Sequence, residues 1–182
     1  MKERLRYKYK VKRRYFQHSA REVADGALSD IILAAFAVHN SFFVYYSYGS
    51  EADTHALVSR LLAAGKEVYL PRVEGKDMTP VRYFGDESAL VKNKYGIYEP
   101  AGQAFEGRID VCITPLLAVN PRGYRLGYGG GYYDRFFAAN PKILKVGYGY
   151  YFQYTEEFEE ENFDKPLDLF VTERGIINFG KE

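Results

Sequence analysis

The run Asp110-Val-Cys-Ile-Thr114, with Asn120-Pro-Arg-Gly-Tyr-Arg-Leu-Gly-Tyr-Gly-Gly-Gly-Tyr-Tyr-Asp-Arg135 close behind it, decides how this chain is read. Its first part is a short apolar segment closed by Pro115, the pattern of a buried strand. The second part packs five glycines, three arginines and four tyrosines into one connection. No breaker interrupts Tyr132 to Ala139, which predicts a helix there. A glycine-rich passage from strand to helix is a natural anion cradle, because backbone N–H groups and the positive end of the helix dipole converge on it.

Outward from that segment the same alternation continues. Ile143-Leu-Lys-Val-Gly147 and Leu167-Asp-Leu-Phe-Val-Thr172 read as strands on the C-terminal side. On the N-terminal side, Phe42-Phe-Val-Tyr-Tyr46 and Glu67-Val-Tyr-Leu70 are strands, the latter closed by Pro71. Between them a helix capped by Asp53 or Thr54 runs to Ala64 and stops at Gly65. A strand, helix, strand order with short links implies parallel pairing through a right-handed crossover. Ser29-Asp30 is expected to cap another helix through about His39, with Ile31, Ile32, Phe36 and Val38 on its apolar side. From Val73 to Gly107, frequent Gly and Pro break the pattern, predicting a small extended or hairpin excursion beside a mainly parallel sheet.

The totals bound the function. With 182 residues and 47% hydrophobic content, the chain suits one domain over 1–182 with a substantial core. Its 25 basic and 24 acidic residues nearly cancel to +1, unlike a polycation made for nucleic acid, so no nucleic-acid partner is expected. A single cysteine, Cys112, excludes a disulfide framework within the chain and a cysteine-rich zinc site. No run approaches the roughly 18 apolar residues of a membrane helix. A cytoplasmic protein without membrane contact is expected.

Charge is uneven along the chain. Met1 to Arg21 carries nine Lys and Arg against one acid, Glu3, without Gly or Pro, which predicts a basic N-terminal helix at about 1–18. Leu5, Tyr9 and Phe16 lie near one stripe of it. It is either a solvated helix or a phosphate-binding arm. Glu156 to Glu161 holds five glutamates in six residues and reads as a solvated acidic turn or short helix.

The glycine segment matches neither common phosphate loop. Gly127, Gly129, Gly130 and Gly131 do not form G-x-G-x-x-G, because Tyr132 occupies the last glycine position, and no GK[ST] follows. Arg125 offers a planar fork for phosphate oxygens, and Asp134, in the first helical turn, can hold a magnesium ion bridging them. Dipole compensation alone would also explain Asp134. Glu51 follows a strand at the edge where open α/β sheets bind ligands, and a carboxylate there can accept hydrogen bonds from a heterocycle. Tyr95, Tyr98, Tyr132 and Tyr133 can stack on such a ring or serve as core. His18, His39 and His55 lack metal-ligand spacing, and Tyr48-Gly-Ser-Glu-Ala52 is no hydrolase elbow.

In order, Lys2-Glu-Arg-Leu-Arg6, Glu51-Ala-Asp-Thr54, Gly65-Lys66, Leu70-Pro-Arg-Val-Glu-Gly75, Tyr95-Gly-Ile-Tyr-Glu-Pro100, Gly123 to Arg135 and Asp168-Leu-Phe-Val-Thr-Glu173 resemble the 5-formyltetrahydrofolate cyclo-ligase family. The resemblance covers nearly the whole chain, and its glycine block is the most specific part. It implies a three-layer α/β/α fold and an enzyme that uses ATP and Mg²⁺ to convert 5-formyltetrahydrofolate to 5,10-methenyltetrahydrofolate, releasing ADP and phosphate. Carried over by position, Lys2, Arg6, Arg125 and the backbone from Gly127 through Gly129, Gly130 and Gly131 to Tyr132 and Tyr133 would hold ATP. Asp134 would bind magnesium with Asp168, and Glu51, Tyr95, Tyr132 and Tyr133 would contact the folate. Arg125 and Asp134 would act in catalysis. The small-molecule partners are thus the folate and ATP, and a monomer or weak homodimer is expected. Ala118-Val-Asn120 stands where the family often has Ala-Phe-Asp, so an amide, able to coordinate through its carbonyl oxygen but uncharged, replaces an acid.

Overall fold

The structure, a computed structural model, describes residues 1–180. Its centre is a seven-stranded sheet. Strands β1 (Ser41–Val44), β2 (Glu67–Glu74), β6 (Val111–Thr114), β9 (Leu144–Tyr148) and β10 (Leu169–Thr172) run parallel. β3 (Asp77–Tyr83) and β11 (Gly175–Asn178) add an antiparallel strand at each edge, giving the order β11-β10-β9-β6-β1-β2-β3. The period-two alternation of the central strands shows why this sheet needs cover on both faces. Phe42, Val44, Val68, Leu70, Val111, Ile113, Val146 and Val171 bury one face, and Phe43, Tyr69, Cys112 and Phe170 the other.

Helix α2 (His18–Ala35) contributes Ala24, Leu28 and Ile32 to the first face, and α3 (His55–Ala63) contributes Leu57, Val58 and Leu61. α4 (Tyr132–Ala139) covers the second with Phe136 and Phe137. The result is the expected three-layer α/β/α architecture. Cys112 is a fully buried core residue whose thiol is pushed up to about 12 by desolvation. Among the described residues no helix is long and apolar enough to cross a membrane.

Several elements differ from the sequence reading, which has Leu167 to Thr172 as the last strand where β11 follows it. The basic helix α1 ends sooner, spanning Lys2–Arg14, because Phe16 turns into the core against Tyr150, at 4.6 Å between ring centroids, and against Phe152. Arg21 then donates to the carbonyl of Arg13, satisfying one of the acceptors that a helix end leaves open. Ser29 is no cap. It lies inside α2, buried, with its hydroxyl 3.4 Å from that of Tyr148.

Pro71 does not close β2 either. Its partner across the β2–β3 hairpin is Pro80, whose carbonyl turns outward to accept the N–H of Phe105 at 2.8 Å. In an antiparallel pair a residue's N and C=O face the same way, so neither proline nitrogen points into the ladder. Last, β6 does not lead directly into the glycine loop, because a hairpin of β7 (Ala118–Val119) and β8 (Arg125–Leu126) intervenes. The excursion between β3 and β6 contains the small antiparallel pair β4 (Leu90–Lys92) and β5 (Tyr98–Pro100).

The hairpin positions α1. Leu5 and Tyr9 pack with Leu117, Ala118, Leu126 and Phe158 in a separate small core. The acidic stretch is not merely solvated, since it straps the outside of α1. Glu157 takes Lys8 and the Tyr9 hydroxyl, and Glu161 and Asp164 take Lys2.

Candidate functional site

Chain direction reverses between β1 and β6. From β1 the path leads through α3 to β2 on one side, and from β6 through α4 to β9 on the other. Open α/β sheets bind ligands at such a point, beyond the carboxyl ends of the strands. A cleft of about 960 Å³ opens there. Tyr45, Tyr46 and Glu51 enter it from beyond β1, Pro115 from beyond β6, Tyr95 from the β4–β5 excursion, and Tyr132 and Tyr133 from the start of α4.

Glu51 is the cleft's enclosed acid. Its Oε1 accepts the Tyr128 hydroxyl at 2.7 Å and its Oε2 accepts the Tyr48 N–H at 2.8 Å. Burial pushes its carboxyl above the usual range, while the Tyr128 hydroxyl, the Tyr48 N–H and the charge of Arg13 pull it back. Two hydrogen bonds leave lone pairs on both oxygens for donors from a ligand. Asp53, by contrast, only caps α3, accepting from the N–H groups of His55 and Ala56.

The glycine loop forms one wall. Gly129 and Gly131 have φ of +98° and +68°, a region from which side chains with a Cβ are largely barred. The loop also meets cations. Arg6 donates Nε to the Gly127 carbonyl at 3.0 Å, and its guanidinium lies 3.6 Å from where a Cβ on Gly129 would stand. Arg125 and Asp134 form an ion pair at 3.2 Å and together clasp residue 165: Arg125 donates to the Lys165 carbonyl and Asp134 accepts the Lys165 N–H. Lys2 reaches Asp164, the preceding residue. Lys2, Arg125 and Asp134 therefore gather around residues 164 and 165.

Of the residues singled out from the sequence, the cleft brings together Glu51, Tyr95, Gly130, Tyr132 and Tyr133. Arg6 contacts the loop at Gly127 and Gly129, and Lys2, Arg125 and Asp134 form a second group at residues 164 and 165. Asp168 joins neither. It precedes β10 at the amino-terminal edge of the sheet, where it accepts the Lys145 N–H at 2.8 Å and pairs with that residue's Nζ at 3.3 Å.

Asn120 has a turn to hold. Its Oδ1 accepts the N–H groups of Arg122 and Tyr124, closing the β7–β8 hairpin, and its Nδ2 donates to Glu160. Glu160 is held down to about 2, chiefly by Arg122. Among the described residues no group of three or more His, Cys, Asp or Glu is arranged to hold a metal. Asp134, beside the loop and paired with Arg125, is the acid placed to hold a cation such as Mg²⁺.

Two site residues are missing from the sequence reading. Arg13, read from the sequence as projecting away from the apolar stripe of the basic helix, instead falls at helical spacing from Leu5 and Tyr9 and is buried with them. Tyr128 carried no signal beyond its place between Gly127 and Gly129.

The sequence model of the 5-formyltetrahydrofolate cyclo-ligase family matches residues 1–173. The 5-formyltetrahydrofolate cyclo-ligase of Escherichia coli (strain K12) is 37% identical over 137 residues, covering 71% of this chain and 75% of that protein. The corresponding Haemophilus influenzae protein is 34% identical over 138 residues, 70% of this chain and 73% of its own length. Among solved structures, the NMR structure of Aquifex aeolicus 5,10-methenyltetrahydrofolate synthetase superposes with a TM-score of 0.86 at 30% identity, covering 100% of this chain and 94% of that one.

Proposed function

Since the chain belongs to the 5-formyltetrahydrofolate cyclo-ligase family, we propose that it converts 5-formyltetrahydrofolate to 5,10-methenyltetrahydrofolate at the expense of ATP, with the folate ring in the Glu51 cleft and the triphosphate on the cation side of the glycine loop. The observation carrying this reading is the placement of that loop. The loop borders a tyrosine-lined cleft holding Glu51 at Gly130, meets Arg6 at Gly127, and leads into Tyr133, whose ring lies 5.7 Å from the Arg125 guanidinium.

The chemistry fits such a site. The N5-formyl group is an amide, hence a poor electrophile, and its oxygen leaves badly. Transfer of the γ-phosphoryl to that oxygen releases ADP and makes the carbon electrophilic. N10 attacks that carbon, the N10 proton is lost to solvent, and the C–O bond breaks with inorganic phosphate leaving. The new C–N bond closes the ring. This sequence requires alignment and charge neutralisation rather than a strong nucleophile, and phosphoryl transfer is catalysed largely by those means.

In this reading Glu51 accepts ring N–H donors and the aromatic faces of Tyr132 and Tyr133 hold the ring. Free N–H groups at Gly129 to Gly131, with Arg6, Lys2 and Arg125, bind phosphate oxygens. Asp134 would hold Mg²⁺, which supplies charge neutralisation on the phosphates.

The test is direct. Purified protein mixed with 5-formyltetrahydrofolate, ATP and Mg²⁺ should develop the methenyl chromophore, and leaving out ATP or adding excess chelator should abolish it. A folded protein that gives no ATP-dependent chromophore would sink the reading.

A further inference from the structure

We infer that Arg13 and Tyr128 are positioning residues that hold the Glu51 carboxylate in its binding orientation, through a relay running from α1 across the glycine loop into the cleft. The inference rests on the folate reading of the cleft and extends it to two residues to which the sequence reading assigned no role.

The relay is continuous. Arg13 is 4% exposed and donates Nη1 to the Leu116 carbonyl at 3.2 Å, which fixes its fork against the end of β6. Its Nη2 donates to the Tyr128 hydroxyl at 2.8 Å. That hydroxyl in turn donates to Glu51 Oε1 at 2.7 Å. Because a guanidinium has only donors, the tyrosine oxygen is the acceptor on that side, so its single proton is directed at the carboxylate. Tyr128 is itself set in place by Arg6 on the preceding carbonyl, Gly127, and by the ammonium of Lys10, 5.6 Å from its ring centroid.

Electrostatics points the same way. Among the described residues no carboxylate makes an ion pair with Arg13, and its Nε has no hydrogen-bond partner. A buried guanidinium without a counter-ion is unfavourable, and the enclosed acid it addresses is Glu51, reached through one hydroxyl. Glu51 accepts the Tyr128 hydroxyl and the Tyr48 N–H, and the Arg13 charge and the phenols of Tyr45 and Tyr133 lie within its electrostatic reach. Tyr128 and Arg13 therefore oppose the desolvation that would otherwise protonate and release the carboxylate, keeping it an acceptor for ring donors.

Tyr128→Phe keeps the ring and removes only the relay's hydroxyl. With wild type shown to form the chromophore, the variant should show a roughly tenfold higher KM for 5-formyltetrahydrofolate, with kcat and the KM for ATP within about twofold. The acidic limb of its kcat/KM profile for the folate should move to higher pH, because Glu51 loses a hydrogen bond that favours its ionised form. Arg13→Gln should shift the same two quantities, and Arg13→Lys should restore part of each. A pure packing defect would lower the melting temperature without moving the pH limb. If wild type turns over while Tyr128→Phe leaves folate KM and pH limb unchanged, or raises both KM values equally, the relay is wrong and the cyclo-ligase reading stands. A folded but inactive wild type overturns both.

Discussion

In the proposed reading Arg125 serves the nucleotide and Glu51 the folate, so their removal should separate the two substrates kinetically. Arg125→Ala deletes a cation clasping Asp134 and is expected to raise the KM for ATP by roughly tenfold or more, with the folate KM nearly unchanged. Glu51→Gln should act chiefly on the folate. It should also lower stability by about 1–3 kcal/mol in a denaturant melt, since Arg13 loses its compensating charge. Glu51 and the tyrosines were legible because they sit beside turn signals at a strand end. Arg13 was not, because a run of similar cations hides the one that faces inward. Only the helical phase relative to Leu5 and Tyr9 distinguishes it, and that phase has meaning once the hairpin they pack on is known.

Elements whose boundaries depend on local chemistry were readable, as with α3, capped by Asp53 and closed at Gly65, or α4 after its glycines. Boundaries set by distant packing were not. α1 breaks after Arg14 because Phe16 finds Tyr150 and Phe152, more than 130 residues away by the numbering. β7 and β8 have only two residues each, below the length at which periodicity speaks. Their turn is nevertheless constrained. Gly123 has φ +84°, and a Cβ there would lie 2.8 Å from the Phe179 ring and 2.9 Å from the Leu167 carbonyl. Gly123→Ala should therefore destabilise the protein by about 1–3 kcal/mol, read from its unfolding midpoint. Tyr9→Ala removes a side chain that is 1% exposed and should loosen α1 from the hairpin, at about 3–5 kcal/mol for the packing. Faster proteolysis near the N-terminus and a raised KM for ATP should accompany it.

At the scale of the molecule, the sheet and its two helical layers followed from alternation and strand order, whereas both antiparallel edges depended on turns and bulky neighbours. Asp110 joins the amino-terminal ends of the two strands flanking the reversal point: it accepts the N–H groups of Asn40 and Ser41, and its own N–H is taken by the Ser41 hydroxyl. The Asn40 N–H, foremost, holds its carboxyl below the usual range. A carboxyl depressed in the folded state adds stability above its unfolded pKa, and that stability is lost as pH falls through the folded value. Asp110→Asn should therefore melt earlier than wild type at pH 7, and the gap should close near pH 3 and below. A gap that stayed constant down to the acid end would mean the carboxylate contributes only shape.

The strap across α1 also orders events in time. Lys2 meets Asp164, and Lys8 meets Glu157, across a sequence separation of 162 and 149. During synthesis the helix leaves the ribosome well ahead of the acidic segment that restrains it, at a pace of about 5–20 residues per second. Until that segment arrives the cationic helix is unclasped, and the nucleotide site proposed above is incomplete. In the proposed reading ATP favours only chains whose strap has closed.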